Sequence, residues 1–391
     1  MTHRVLARKT LLGAVFLMAT SAIGPGFLTQ TALFTSQLGA SFGFAILVSI
    51  LIDIGAQLNI WRIITVSGRR TQDIGNLVRP GLGTLLSVLV AVGGFAFNVG
   101  NIAGCALGMN VLFGLHLKAG AALSAAIAAT LFLLPQSRPA MDRFAVLLGL
   151  VMIGLTLYVA TIADPPVGEA VIRSVYPAEL DALVIVTLVG GTVGGYITFA
   201  GAHRLLDAGT TGPAALPAVS RSATSGILIT GCMRVLLFMA ALGVVANGGV
   251  IDTANPPASI FRLAAGAAGY TIFGAVMWCA AITSVVGASY TSTSFVKTLH
   301  PALQHERITL VAFVIGSALV FLMFGRPVRT LVVVGALNAL VLPVALVTLL
   351  VATRRASIVG PYQHPGWLTA YGVMVAVIMA GLAAYTVHMA L

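Results

Sequence analysis

Residues 10–52 of this 391-residue chain contain no Asp, Glu, Lys or Arg, and neither do residues 80–117. An uncharged apolar stretch of about 20 residues is the length that crosses a bilayer as a helix. Hydrophobic residues make up 59% of the chain and charged residues 8%, with a mean hydropathy of +1.03. In lipid a segment must close its own backbone hydrogen bonds, so the pattern predicts an all-α membrane protein. About eleven transmembrane helices are read, roughly at 10–38, 42–65, 82–113, 118–135, 143–163, 182–206, 223–246, 268–296, 308–324, 329–353 and 367–390. No soluble domain is expected; residues 1–391 form a single transmembrane domain.

The net charge of +11 would suit a nucleic-acid partner, but its placement points to the lipid bilayer. With a cytoplasmic N-terminus, Lys118, Arg173, Arg262, Arg326 and Arg329 fall on the outer side. The other Lys and Arg, Arg62, Arg70, Arg204, Arg234 and Arg355 among them, fall on the inner side, which is the bias of the positive-inside rule. The expected location is a bacterial-type inner (plasma) membrane, multi-pass, with no nucleic-acid partner. Cys105, Cys232 and Cys279 fall in spans without ligand-like spacing and read as small buried side chains. The basic Met1–Lys9 runs into an apolar stretch longer than a signal peptide, so a retained first helix is expected. The sequence leaves the oligomeric state open.

Two spans are interrupted by the same phrase. The first reads Gly26-Phe27-Leu28-Thr29, after Gly24-Pro25; the second reads Gly195-Tyr196-Ile197-Thr198, after Gly194. Interrupted spans at matching places in two halves mark the central site of a transporter. The connection at 164–181, made extended by Pro165-Pro166, separates span five from span six. The broken spans are therefore the first and the sixth. This predicts a 5+5 inverted repeat, about 10–163 and 182–353, with an extra helix at about 367–390, as in leucine-transporter-like folds.

Each second half-helix is expected to begin at its glycine, presenting free N–H groups and about half a positive charge. Two such ends facing one cavity would suit an anion or a carboxyl group. The candidate substrate-binding residues are Gly24, Gly26, Phe27, Leu28, Thr29 and Gln30 at the first break. At the second they are Gly194, Gly195, Tyr196 and Thr198, with Asn98 and Asn101 from span three. Each has a plainer alternative: packing glycines, core aromatics, hydroxyls bonded to the preceding turn, and asparagines that join helices. Asp53, in the middle of span two, shares a helix face with Ser49 and Gln57. It reads either as a proton carrier or as a structural carboxylate bonded to Gln57 or another helix. His203 could relay protons near an Arg204–Asp207 pair at the inner mouth.

The third span, Asn101-Ile102-Ala103-Gly104-Cys105-Ala106-Leu107-Gly108-Met109-Asn110-Val111-Leu112-Phe113-Gly114, resembles the third helix of the natural-resistance-associated macrophage protein (NRAMP) metal transporters. Gly39-Ala40-Ser41-Phe42-Gly43-Phe44, Gly191-Thr192-Val193 and Leu342-Pro343 are similar to further motifs of that family, which belongs to the amino acid–polyamine–organocation superfamily. The resemblance implies a leucine-transporter-like fold and a proton-coupled divalent metal transporter. It fails at the metal site. Where the family has Asp-Pro-Gly-Asn this chain has Gly24-Pro25-Gly26-Phe27, and where the family has Met-Pro-His it has Gly194-Gly195-Tyr196. The fold analogy also implies a sodium site, which would be Thr283 and Ser284 with backbone near Ala22.

The residues thus point to a secondary-active transporter of a small anion, bicarbonate or a small carboxylate, driven by a sodium or proton gradient through alternating access. The alternatives are an NRAMP-type metal transporter and a non-transporting membrane receptor or scaffold. No nucleophile–base pair can be assembled from span residues, so an enzyme is not expected, and no cofactor is expected beyond a coupling sodium ion or proton.

Overall fold

In a computed structural model of the chain, residues 2–134, 137–252, 255–297, 299–324 and 338–390 are described, and they are almost wholly helical. In chain order the helices are α1 (Thr2–Ala22), α2 (Pro25–Leu38), α3 (Phe42–Ser67), α4 (Thr71–Val78), α5 (Leu82–Phe113), α6 (Leu117–Leu133), α7 (Ser137–Ile162) and α8 (Val167–Val175). They continue with α9 (Ala182–Thr192), α10 (Ile197–Asp207), α11 (Leu216–Ala246), α12 (Pro256–Val296), α13 (Glu306–Phe324), α14 (Val341–Ala352), α15 (Ala356–Val359) and α16 (Gly366–Ala390). Eight described segments are long and apolar enough to cross a membrane, and Thr10–Ala22, Leu117–Leu133 and Val341–Ala352 are shorter apolar helices. The start of the expected tenth span, with Arg326 and Arg329, lies outside the described residues.

Both expected interruptions are present, each with a local cause. Pro25 has no N–H to continue α1 and disfavours helical backbone in the residue before it. Gly24 accordingly turns extended (φ −85°, ψ −179°), and Pro25 opens α2 at the position where a missing N–H costs nothing. At the second break, α9 stops at Thr192 and α10 starts at Ile197; Gly195 between them has φ +62°. That left-handed backbone is one that side chains with a Cβ rarely adopt. Both breaks lie a few residues from where the sequence pattern put them. Gly26 is inside the first turn of α2, and the caps are Gly24 and Tyr196.

The connections hold more helix than expected. The segment after Pro165-Pro166 forms the amphipathic α8, and α12 begins at Pro256, well before residue 268. A kink at Ala265 and Gly266 (φ 60°, ψ −141°) divides α12 where the span was expected to start. The most extensive packing in the bundle is α5 against α12, with α2 wedged alongside. A Cβ on Gly104 of α5 would stand 2.3 Å from the Pro25 ring, so the small residue sets how closely the first break approaches α5. Large apolar side chains such as Leu51, Val92, Leu147, Leu228 and Val377 cover the outside, as lipid contact requires.

Basic residues gather at one end of the bundle, where Arg62 bonds Ser220 and Tyr362, and Arg355 bonds the Leu77 carbonyl. There His364 ties the last helix to α3: its Nε2 lies 2.8 Å from Asn59 Oδ1, and Asn59 donates to the Leu368 carbonyl. Burial, with Arg62 adding to it, pushes the His364 imidazole down to about 4. The imidazole is therefore neutral in the folded protein while the unfolded chain takes up a proton near the ordinary histidine value of about 6.5. Stability from this contact is complete above that value and is lost as pH falls from about 6.5 to about 4. The expected result is a thermal midpoint that drops across this window more steeply in the unmodified protein than in His364→Asn, measured by scanning fluorimetry in detergent.

Candidate functional site

The two breaks meet in the centre of the bundle. A Cβ on Gly191, in the last turn of α9, would lie 2.9 Å from both polar atoms of the Gln30 amide in α2. Tyr196, at the second break, faces Ser21 of α1, Asn101 of α5 and Ser284 of α12. A Cβ on Gly24 would stand 2.8 Å from Ser284 Oγ and 3.4 Å from Asn101 Oδ1. Neither α2 nor α10 has a side-chain cap on its first turn. The N–H groups of Gly26 and Phe27 accordingly have no capping side chain.

Partners for the freed backbone come from several elements. Ser284 Oγ donates to the Thr20 carbonyl (2.8 Å), and the Gly195 N–H donates to the Asn338 carbonyl (3.1 Å). Thr198 Oγ1 donates to the Val193 carbonyl, and Arg234 Nη2 to the Thr192 carbonyl (3.3 Å). What stays open is side-chain capacity. Both amide atoms of Gln30 are buried without a hydrogen-bond partner, and the Asn101 amide and the Tyr196 hydroxyl face one another without a well-formed hydrogen bond. Unpaired buried polar groups are costly. Gln30, Asn101 and Tyr196 thus place neutral hydrogen-bonding groups around the two helix breaks.

The other expected residues distribute around this centre. Phe27, Leu28 and Thr29 are buried in α2, and Tyr196 packs edge-on against Phe97 at 5.5 Å. Thr198 is corrected as a donor: its hydroxyl is spent inside the break. Asn98 is corrected too, since its amide joins Ser289 of α12 and Ser317 of α13, the helix-joining alternative. Gly194 and Gly195 abut Asn338 rather than lining a wall. Of the sodium expectation, Ser284 does meet an α1 carbonyl, near the buried Ala22; Thr283 bonds the Cys279 carbonyl of its own helix instead (2.7 Å).

His203 lies in a closed cluster at the basic end. It contacts Ser294 Oγ (2.7 Å) and Thr71 Oγ1 (3.3 Å), with Phe295 stacked on its ring at 4.9 Å. The expected Arg204–Asp207 pair is replaced by two others. Arg204 makes a two-pronged contact with Asp142 of α7 (3.0 and 2.6 Å), and Asp207 pairs with Arg70 and accepts from Tyr290. These contacts pin the end of α10 to α4, α7 and α12, sealing the bundle beneath the breaks.

The residue that sequence reasoning misplaced is Arg234. Counted among the inner-side charges although it falls within the span read at 223–246, it is wholly buried inside α11, paired with Asp53 at 3.1 Å. Thr230 Oγ1 approaches the same carboxylate oxygen (3.4 Å), and Arg234 Nη1 reaches Ser49 Oγ (3.4 Å). A missed signal was available: an intramembrane arginine is as exceptional as an intramembrane aspartate, and each needs the other.

A family model described as natural resistance-associated macrophage protein-like matches residues 15–388. The chain belongs to the Nramp family. It is 56% identical over 377 residues to membrane protein YcsG of Bacillus subtilis (strain 168), covering 96% of this chain and 93% of that one. It is 25% identical over 418 residues to the divalent metal cation transporter MntH of Brucella suis biovar 1 (strain 1330), covering 97% of this chain and 90% of that one. The fold matches the crystal structure of the Eremococcus coleocola manganese transporter with a TM-score of 0.76 at 14% identity, covering 96% of this chain and 85% of that one. This Nramp member is thus an all-α, multi-pass transporter of the leucine-transporter-like fold.

The second break gives a direct test of the geometry. A Cβ on Gly195 would sit 2.0 Å from Asn338 Oδ1, in backbone that costs a residue with a Cβ about 1–2 kcal/mol before any clash. Gly195→Ala is expected to lower the thermal midpoint and abolish transport. Gly24→Ala, whose Cβ meets one movable hydroxyl, is expected to fold and lose transport alone; purified-protein melting and uptake separate the two outcomes.

Proposed function

We propose that this Nramp member is a secondary-active transporter whose central site takes a small monoanion, bicarbonate or a small carboxylate, by alternating access. The observation that carries the reading is the set of unpartnered buried groups at the breaks, Gln30, Asn101 and Tyr196. All are neutral and all can donate. The uncapped first turns of α2 and α10 add partial positive charge beside them. A dehydrated dication normally calls for carboxylates, imidazole or sulfur. Here glycine, phenylalanine and tyrosine occupy the corresponding break positions, so its charge would go uncompensated.

The second reading, a proton-coupled divalent metal transporter, has specific support and is backed by the comparisons better than the anion. The Brucella suis relative is named for divalent metal cations and the Eremococcus coleocola structure for manganese, whereas neither name mentions an anion. For that reading Gln30 and Asn101 would offer carbonyl oxygens alone. By the positive-inside rule the basic end, sealed in this conformation, would face the cytoplasm. The repeat boundaries, about 10–163 and 182–353 with α16 appended, belong to the same proposal.

A radiolabelled uptake panel into proteoliposomes decides between the readings: bicarbonate, pyruvate, lactate and manganese, each with and without sodium and pH gradients. Gradient-driven accumulation of one of the anions, reduced at least about tenfold by Gln30→Leu or Asn101→Leu, is the expected result. Saturable manganese flux with no anion flux would replace the anion by the metal. No flux of any solute would favour a receptor or scaffold.

A further inference from the structure

We propose that the buried Asp53–Arg234 pair couples transport to protons, making the cycle an electroneutral symport of one proton with one monoanion. A proton binds Asp53, Arg234 is released from it, and the charge of the bound anion is matched by Arg234. The inference rests on the anion reading above and adds the coupling ion, its carrier and the stoichiometry.

Position is the first argument. Residues 191 and 192 end α9 at the second break, and the two consecutive residues face different partners. Gly191 abuts the Gln30 amide of the candidate site, while the Thr192 carbonyl accepts Arg234 Nη2 at 3.3 Å. The guanidinium therefore stands one residue behind the wall of the site. It also holds the carbonyl end of the half-helix that must move when the break opens and closes.

The second argument is that the pair is half made. Arg204 grips Asp142 through two nitrogens, Nε and Nη2, and both carboxylate oxygens, at 3.0 and 2.6 Å, as a structural fork does. Arg234 touches Asp53 through one nitrogen and one oxygen at 3.1 Å. Arg234 Nε has no partner and Asp53 Oδ1 has only the neutral Gln57 amide beside it, although both residues are fully buried. A purely structural pair at this depth would be expected to satisfy those atoms, because buried ions repay their desolvation only with complete bonding. The Asp53 oxygen that Arg234 does not hold can receive a proton, and the open Arg234 N–H can turn to an incoming oxygen.

Charge balance then dictates the coupling. The empty site holds one positive and one negative group and is neutral. An anion entering alone would leave a net negative charge in a low-dielectric interior, and a proton entering alone would leave Arg234 unmatched. Together they restore neutrality. Among the described residues no other charge competes at this level. Helices α2, α9 and α14, and α1 from Thr10 onward, carry no Asp, Glu, His, Lys or Arg. From α10, His203, Arg204 and Asp207 are engaged at the basic end; from α7, Asp142 is held by Arg204; from α12, Lys297 is held by Glu306. Glu169 and Arg173 of α8 and Arg221 of α11 lie toward the surface, Arg62 of α3 is turned to Ser220 and Tyr362, and Tyr371 of α16 donates to the Leu51 carbonyl. Gln57 beside Asp53 is neutral, and its oxygen is held by Trp61.

The test uses the full chain in proteoliposomes with 14C-pyruvate as the probe anion. One pH unit, alkaline inside, is expected to support about tenfold accumulation, unchanged by potassium–valinomycin potentials or by sodium. Asp53→Asn imitates the protonated carboxyl. It should keep exchange of external for internal pyruvate within about threefold of the unmodified protein and lose all pH-driven accumulation. Arg234→Gln should lose exchange and accumulation alike, by at least about tenfold. The double variant Asp53→Asn/Arg234→Gln leaves no charge buried; it should remain monodisperse and stay inactive. Should Asp53→Asn fail to fold, pyruvate binding to the unmodified protein in detergent is expected to tighten as pH falls and to show no sodium dependence. Accumulation by Asp53→Asn under a pH gradient, pH-independent pyruvate binding, or sodium- or potential-driven accumulation overturns the inference while the anion reading stands. Manganese uptake with no flux of pyruvate, lactate or bicarbonate overturns both.

Discussion

A helix interrupted inside a bilayer leaves N–H and C=O groups with no water to meet them, and the architecture of this protein follows from how those groups are paired. The Thr20 carbonyl takes the Ser284 hydroxyl, the Thr192 carbonyl takes Arg234, the Val193 carbonyl takes Thr198, and the Gly195 N–H goes to the Asn338 carbonyl. Three of the four partners come from other spans. The breaks are therefore not weak points in two helices but the knots at which α11, α12 and the tenth span are tied to them. This is why small residues crowd the region: Gly24, Gly94, Gly104, Gly191 and Gly195 each sit within 3 Å of another element's atoms, measured from where a Cβ would be.

Arg234 shows how one such knot becomes chemically interesting. Holding a helix-end carbonyl requires a donor, and a serine or asparagine would serve. An arginine brings a full charge, and that charge forces an aspartate into the middle of α3. The protein carries the desolvation of two ions to make one backbone contact and an incomplete ion pair. The completed Arg204–Asp142 fork at the basic end shows what the same chemistry looks like when it only fastens helices. The sealed cluster around His203 and Asp207 belongs to that second kind: it closes one face of the bundle beneath the site.

Family and site chemistry pull in different directions. The fold is shared with a manganese transporter over nearly the whole chain, and the scaffold of two apposed breaks serves any solute that fits between them. In the function proposed above, the solute is chosen by a few side chains at the breaks: amides, a phenol and glycine backbone. A shared fold and a different cargo are compatible because most of the backbone pairing that builds the scaffold, through Ser284, Thr198 and Asn338, does not use Gln30, Asn101 or Tyr196.

The sequence by itself determined the membrane class, the breaks in the first and sixth spans and the family, because these follow from hydropathy, from Pro25 and the glycines, and from local motifs. It also showed that Ser49, Asp53 and Gln57 share a face, which helix periodicity dictates. It did not show which face the second break presents, so Thr198 and Asn98 looked available when their polar groups are occupied. It misread Arg204 as the partner of Asp207 three residues away, when Asp142 and Arg70 from distant segments take them. It counted Arg234 with the inner-side charges, because a charge near the middle of a span is tolerable only beside a specific counter-charge. That Asp53 and Arg234 face each other was decided by the packing of α3 against α11, since the sequence holds the spacing of residues along each helix but not the rotation of one helix against another.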